Sequence, residues 1–178
     1  VSSSSSNRYD SLTIRNCVFG SATSAPYYTT YLYGSSTLSS ANTQLVFEDN
    51  TVYFRYYGLY TQYTPSGIVS GNSFEQVGTS TSGYGIRIYG SSSWTTNPFN
   101  WEISENLISM NSGGYPMYVY YAFADASSPV KVFNNYLESQ GGSGIFYGLR
   151  LNYPKNIEVY NNTVRNRSSS TSGRPVYL

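Results

Sequence analysis

The sequence predicts an all-β solenoid, a parallel β-helix of about six coils, on three observations. One pattern, apolar-x-apolar-x-x-Asn-x-apolar, recurs six times along the 178 residues. The steps between copies are 33, 22, 34, 29 and 27 residues, inside the range of roughly 20–50 that marks stacked repeats. The composition, with 21 Tyr, 17% aromatics and many Ser, Thr, Asn and Gly, favours strands and tight turns over helices. No stretch sustains apolar residues at spacings of three and four, so almost no α-helix is expected.

Taken in order, the copies read L-T-I-R-N-C-V-F from Leu12, L-V-F-E-D-N-T-V from Leu45, G-I-V-S-G-N-S-F from Gly67, W-E-I-S-E-N-L-I from Trp101, V-K-V-F-N-N-Y-L from Val130 and I-E-V-Y-N-N-T-V from Ile157. Downstream of each lies a second strand-like tract: Tyr31–Tyr33, Gly58–Tyr60, Tyr84–Tyr89, Tyr115–Tyr120, Tyr147–Asn152 and Pro175–Leu178. Each repeat therefore holds at least two short strands joined by Gly, Ser or Pro turns. The variation in step sits in loops such as Ser91–Asn100 and Ala122–Pro129. The Ser tracts Val1–Ser6 and Ser168–Ser172 read as flexible or turn segments.

A coil this short cannot bury its apolar side chains alone. Stacking coils at about 4.8 Å gives them a common interior. Aligning the copies puts Leu12, Leu45, Gly67, Trp101, Val130 and Ile157 in one inward column, and Ile14, Phe47, Val69, Ile103, Val132 and Val159 in the next. Asn50, Asn72, Asn106, Asn135 and Asn162 form an internal ladder at a turn, with Cys17 in the first rung. Asn tolerates the left-handed backbone of a sharp bend, and its amide can bond along the axis. Cys17 is expected to be a small buried packing residue. Opposite charges meet in the outward columns: Glu102, Lys131 and Glu158, then Arg15 with Glu48, then Glu138 with Arg165. Three such matches support the register.

The runs F-E-D-N-T, V-S-G-N-S, I-S-E-N, V-F-N-N and V-Y-N-N-T resemble the F-x-x-N repeats of polymorphic outer-membrane-type surface proteins. S-G-Y-G-I-R-I from Ser82 and G-G-S-G-I-F from Gly141 resemble the companion G-G-A-I element. The same runs resemble the right-handed β-helix repeat family that includes pectate-lyase-like enzymes. The resemblance covers nearly the whole chain and implies a right-handed parallel β-helix solenoid with an internal Asn ladder. It is specific for fold. The scaffold hosts lyases, hydrolases, adhesins and structural fibres alike.

Several function classes are disfavoured by composition. Ten Lys+Arg against nine Asp+Glu leave a net charge of +1, too little for a nucleic-acid surface. No His is present, which removes the triad base and the commonest general acid–base. One Cys excludes an intramolecular disulfide framework, and no apolar run reaches the ~18–20 residues of a membrane-spanning helix. Lyases of the resembled family use an Arg or Lys base with carboxylates that hold Ca²⁺. Here Arg87 and Arg150 have no Asp cluster beside them, the adjacent pair Glu48 and Asp49 points to opposite faces, and Lys131 separates Glu102 from Glu158. The expectation is no catalytic residue, no cofactor and no metal; the alternative is a polysaccharide lyase.

The candidate partner face is aromatic. Tyr31, Tyr60, Arg87, Tyr118, Arg150 and Tyr177 align in one outward column, and Tyr33, Gln62, Tyr89, Tyr120 and Asn152 in a second. Such columns either stack only on each other or bind sugar rings or a protein. Sequons stand at Asn161 and Asn166. The whole chain, residues 1–178, is expected to be one β-helix domain, or a segment of a longer solenoid or fibre. It opens on a Ser run without a cap and closes in mid-strand at Val176-Tyr177-Leu178. Uncapped coils invite strand addition. The expectation is an extracellular or cell-surface structural protein, filament-forming or adhesive through its Tyr/Arg face, that self-associates end to end or with other β-helix segments, with carbohydrate as the other candidate partner.

Overall fold

The computed structural model describes residues 9–78, 80–94, 96 and 98–178; the Val1–Ser6 tract lies outside them. Each coil carries three strands. The first holds β1 (Ser11–Arg15), β2 (Val18–Phe19) and β3 (Tyr28–Tyr33). The second holds β4 (Gln44–Glu48), β5 (Thr51–Phe54) and β6 (Tyr57–Gln62), and the third β7 (Ser66–Ser70), β8 (Ser73–Gln76) and β9 (Tyr84–Tyr89). The fourth has β10 (Asn100–Ser104), β11 (Leu107–Met110) and β12 (Tyr115–Tyr120). The fifth has β13 (Val130–Phe133), β14 (Tyr136–Ser139) and β15 (Tyr147–Asn152), and the sixth β16 (Ile157–Tyr160), β17 (Thr163–Asn166) and β18 (Arg174–Tyr177). One 3₁₀ turn, Leu38–Ser40, is the sole helical element among the described residues.

Equivalent strands pair in parallel, giving three six-stranded sheets that run the length of the solenoid. The repeat motif spans the first two sheets, with its Asn at the corner between them, and the Tyr tracts form the third. The register read from sequence holds. Ile14, Phe47, Val69, Ile103, Val132 and Val159 follow one another across the first sheet. Phe47, Val69, Ile103 and Val132 are fully buried. Leu12, Ile14 and Ile157 are only partly buried and Val159 is 42% exposed, because an outermost coil has a neighbour on one side only. Gly67 belongs to the inward column although it has no side chain. The Trp101 ring fills its place, and a Cβ at Gly67 would lie 2.4 Å from it.

The corner ladder is continuous. The Asn72 Oδ1 accepts from the Asn50 backbone N–H at 2.9 Å and from the Asn50 Nδ2 at 3.0 Å. Asn106, Asn135 and Asn162 repeat this pair of bonds from the coil before. Each Nδ2 also reaches back to a first-sheet carbonyl, as Asn106 does to Val69 at 2.9 Å. Two details of the sequence reading are corrected. The left-handed residue of the bend is the one before the ladder Asn, namely Asn16, Asp49, Gly71, Glu105, Asn134 and Asn161. The ladder Asn itself stays out of that region and supplies hydrogen bonds, not backbone freedom. Cys17 is exposed, because its side chain lies in the first described coil with only Asn50 beneath it. Its N–H donates to the Asn50 Oδ1 at 3.0 Å and its thiol to the Arg15 carbonyl.

The charge columns hold as register but only partly as contact. Arg15 and Glu48 approach to 2.7 Å. Glu138 faces Arg165 across β14 and β17, yet its carboxylate lies nearer Arg167, at 3.7 Å. Glu102, Lys131 and Glu158 are neighbours in register without an ion pair among the described residues. At the third corner, the loops of variable length pack on the solenoid. Trp94 and Phe99 are buried there, and the Trp94 indole N–H donates to the Ser36 carbonyl at 2.8 Å.

Candidate binding face

The third sheet carries a recurring local sequence: Y-T-T-Y, Y-G-L-Y, Y-G-I-R, Y-P-M-Y, Y-G-L-R and R-P-V-Y open its six strands. Simple alternation would send the first and fourth residues to opposite faces. The second residue, Thr, Gly or Pro, is skipped by the parallel pairing. This is a bulge-like break in the ladder, carried in step by both strands of each pair so that neither gains a residue, and it re-aims side chains. At Gly85 the backbone is hemmed in, with the Ile108 Cγ2 2.4 Å and the Pro116 carbonyl 2.7 Å from where a Cβ would stand. The bulge brings the first and fourth side chains together outside the sheet: Tyr57 meets Tyr60 at 5.0 Å and Tyr115 meets Tyr118 at 5.7 Å between ring centroids.

Three outward columns result. The two read from sequence are both in register. A third, Tyr28, Tyr57, Tyr84, Tyr115, Tyr147 and Arg174, was missed because its members fall one bulge upstream; the Gly or Pro immediately before Leu59, Ile86, Met117 and Leu149 was the available signal. In this column the rings lie face to face along the axis, at 5.2, 5.2, 4.7 and 5.1 Å from Tyr28 through Tyr147. Left-handed Tyr63, Tyr121 and Tyr153 extend the aromatic surface around the third corner. Tyr121 and Tyr153 stack at 5.1 Å. Every tyrosine except Tyr9, Tyr53, Tyr136 and Tyr160 joins this surface.

The middle column is the most enclosed. Tyr60 and Tyr118 are 6% and 7% exposed. Arg87 lies between them, 5.1 Å above one ring and 5.6 Å from the other. Arg150 lies between Tyr118 and Tyr177, 5.0 Å from each. Arg87 donates to the Tyr57 hydroxyl at 2.6 Å, and Arg150 to the Asn152 side chain at 2.8 Å. Its Nε is buried without a hydrogen-bond partner in the case of Arg87. Among the described residues neither guanidinium has a carboxylate within ion-pair distance.

From Tyr28 to Tyr147 the ring faces cover one another, and in the middle column they meet guanidinium groups, so what these rings turn to solvent is chiefly ring edge and hydroxyl. Aromatic edges are the positive part of the ring quadrupole, phenols donate hydrogen bonds, and none of the six third-sheet strands contains Asp or Glu. The face is therefore electropositive in character although the chain is nearly neutral. Tyr84, Tyr60 and Tyr118 stay protonated well above neutrality. Burial, partly opposed by Arg87, pushes Tyr84 up to about 12, and burial raises Tyr60 and Tyr118 as well.

Other candidates are dispersed. The second sheet has a shallow groove of about 560 Å³, where Glu75 and Glu138 flank Ser109 on alternate coils. Glu138 accepts from the Gln140 amide. This carboxylate pair was also missed in the sequence, where the two Glu occupy different copies. No group of three or more His, Cys, Asp or Glu able to hold a metal occurs among the described residues. Asn161 and Asn166 are exposed, and the Asn166 Oδ1 accepts from the Ser168 N–H at 2.9 Å. Among the described residues no helix is long and apolar enough to cross a membrane.

Neither a curated protein nor a solved structure matches the chain. A family model described as a right handed beta helix region matches residues 2–171. With three parallel sheets, six coils and an unbroken Asn corner in agreement, the chain belongs to the right-handed β-helix family.

Proposed function

We propose that this chain is an extracellular, non-catalytic surface β-helix that engages its partner through the Tyr/Arg face of the third sheet. The observation that supports this is the face itself: columns of phenol edges and hydroxyls over six coils, with three guanidinium groups (Arg87, Arg150 and Arg174) and no acid in the strands. A sheet needing only stability could fill these positions with Thr, Val or Ile. Carbohydrate is the partner class, because a linear glycan can lie along the columns and meet donors on every coil. Binding of the purified chain to immobilised polysaccharides tests it. Loss of binding in the Tyr84→Ser/Tyr115→Ser/Tyr147→Ser variant, with melting still cooperative, is expected. Retained binding would refute the face, and turnover of the polysaccharide to unsaturated products would refute a non-catalytic role.

A second reading concerns assembly. Around the last coil, Leu151, Pro154, Asn156, Ile157, Val159 and Leu178 line a hollow of about 370 Å³. Val176 and Leu178 are 50% and 79% exposed. Another β-helix segment, from further sequence or a second copy, would cover these groups and pair the open strand edges. End-to-end addition does not close on itself and builds filaments. Sedimentation across a concentration series tests this. A monomer throughout the series would exclude self-assembly of this chain.

A further inference from the structure

The tyrosine network has an oxidative chemistry of its own, independent of what the face binds. We infer that Tyr27, Tyr28 and Tyr153, at two separate margins of the network, are sites of covalent coupling between copies of this chain. The oxidation is supplied by hydrogen peroxide acting through a haem peroxidase.

Availability comes first. The chain has no His, and Trp94, Trp101, Met110 and Met117 are all buried. Tyr27, Tyr28 and Tyr153 are 47%, 50% and 59% exposed. An oxidant in solution therefore meets phenols, with the exposed thiol of Cys17 as the competitor.

Charge then decides which phenols. Rings in contact can pass an electron from one to the next, and a cation over a ring opposes the positive charge that a lost electron leaves. Arg87 lies within 5.7 Å of the Tyr57, Tyr60, Tyr84, Tyr89 and Tyr118 rings. Arg150 lies within 5.5 Å of Tyr115, Tyr118, Tyr147 and Tyr177, and Arg174 lies 5.0 Å from Tyr177. Among the described residues no guanidinium stands over Tyr27, Tyr28, Tyr120, Tyr121 or Tyr153. An oxidised ring in the centre therefore draws its electron from a margin. Tyr57 draws on Tyr28 at 5.2 Å, which touches Tyr27 at 4.7 Å. Tyr89 draws on Tyr120 at 4.7 Å, and Tyr120 and Tyr121 draw on Tyr153 at 5.6 and 5.1 Å.

Ring geometry decides where a bond can form. Coupling joins an ortho carbon of one ring to an ortho carbon of another, with the rings side by side. Tyr84 and Tyr115 are held face to face at 8° and would have to leave the stack to couple. An exposed margin ring can meet the same ring on a second copy. Each phenol gives one electron to the peroxidase and its hydroxyl proton to water. The two radicals form the carbon–carbon bond, and each ring hydrogen moves to its oxygen. In sum, two phenols and one hydrogen peroxide give one biphenol and two waters. Tyr27 and Tyr28 belong to the first coil and Tyr153 follows the fifth coil's third strand, so each copy has two coupling points, enough to build chains instead of pairs.

Tyr160 supplies the internal control. It is 41% exposed, but its ring stacks on Phe133 at 5.0 Å and meets no tyrosine ring among the described residues. The test treats the Cys17→Ser chain with a haem peroxidase and hydrogen peroxide, follows covalent oligomers on denaturing gels, and maps the joined peptides by mass spectrometry. Expected are links through Tyr27, Tyr28 and Tyr153, with coupling at Tyr153 severalfold above that at Tyr160. Tyr120→Phe/Tyr121→Phe keeps two packed rings that cannot become phenoxyl radicals. It should bring Tyr153 down to the level of Tyr160 and leave Tyr27 and Tyr28 unchanged. If that variant unfolds, the unaltered tyrosines decide, because the preference for Tyr153 over Tyr160 should vanish when the chain is coupled in urea. Equal coupling at Tyr153 and Tyr160 in the folded chain, or an unchanged Tyr153 in the folded variant, overturns the routing. Loss of phenol without covalent oligomers, or links that map to Tyr84 and Tyr115, overturns the coupling sites.

Discussion

Two ladders run the length of this molecule, the Asn corner between the first and second sheets and the Tyr/Arg columns outside the third. Both stack like side chains one coil apart, and they differ in what they leave over. In the inner rungs of the corner, Asn72, Asn106 and Asn135, each amide donates to the next Asn and to a backbone carbonyl, while each Oδ1 accepts twice. Nothing remains for a ligand, and the amides are buried. In the Tyr/Arg columns the stacking satisfies ring faces only. Hydroxyls, ring edges and guanidinium groups remain, half in water. A closed ladder is structural; an open one is structural with donors to spare, and that surplus is where binding can reside.

The sharpest way to break the comparison is to open the closed ladder. Asn106→Leu leaves the buried Asn72 N–H without its acceptor, takes one of three acceptors from the Asn72 Nδ2, and removes the amide donors to the Val69 carbonyl and the Asn135 Oδ1. Buried unsatisfied groups cost about 1–3 kcal/mol each before relaxation, so a loss of about 3 kcal/mol is expected in urea unfolding. A variant that melts like the parent would mean that the corner is not closed.

Next in size is the enclosed column. Tyr118→Ala removes a ring lying against both guanidinium groups and against Tyr115. The lost burial and pair contacts should cost about 2 kcal/mol. Tyr115→Phe keeps the stack with Tyr84 and Tyr147 and should change stability by less than about 0.5 kcal/mol. If the two variants are equally destabilised, the surplus hydroxyls are structural after all and the contrast between the ladders fails.

Much of this was legible in the sequence, for reasons tied to particular residues. The Asn column and the flanking apolar pair recur at fixed offsets, because both are set by the corner and have no slack. Val69, Ile103 and Val132 therefore aligned correctly, and so did Glu102, Lys131 and Glu158. Contact was less legible than register: Glu138 turns to Arg167 instead of Arg165, since a long side chain chooses among neighbours. The Tyr28–Tyr147 column was hidden by the bulge at Gly58, Gly85 and Gly148, which breaks the period-two rule. Cys17 was read as buried on its place in the column, which cannot tell an inner rung from an outermost one.

The open ladder should also respond to alkali. Tyr84 ionises near 12 when folded against 10.0 for a free phenol. Burial raises Tyr60, Tyr118 and Tyr31 in the same direction. Between about pH 10 and 12 the unfolded chain therefore releases protons that the folded chain retains, and the unfolded state is favoured as pH rises. Full stability holds below pH 10, and the melting temperature should fall steadily above it. Phenolate absorbance should lag that of the urea-unfolded chain. Titration of all tyrosines at the free value with no loss of melting temperature would remove the columns from the interior.

The smallest expected effect is the most specific. In every inner rung the Oδ1 of one Asn accepts both the N–H and the Nδ2 of the coil before it. Asn50 accepts the Cys17 N–H at 3.0 Å but receives no second donor from that coil, because the thiol turns to the Arg15 carbonyl. Cys17→Asn would add an Nδ2 in the position that Asn50 itself occupies toward Asn72, 3.0 Å from the acceptor. The left-handed Asn16 that precedes it already sets the bend, so no backbone change is needed. The gain is that of one hydrogen bond at an exposed rung, about 0.5–1 kcal/mol. Cys17→Ser is the control, since a hydroxyl on one carbon is too short to span the same distance, and it should be neutral. If Asn stabilises and Ser does not, the first coil already has ladder geometry and lacks only the chemistry. If Asn is neutral or worse, the outermost corner differs from the inner ones, and the ladder's strength comes from being covered on both sides.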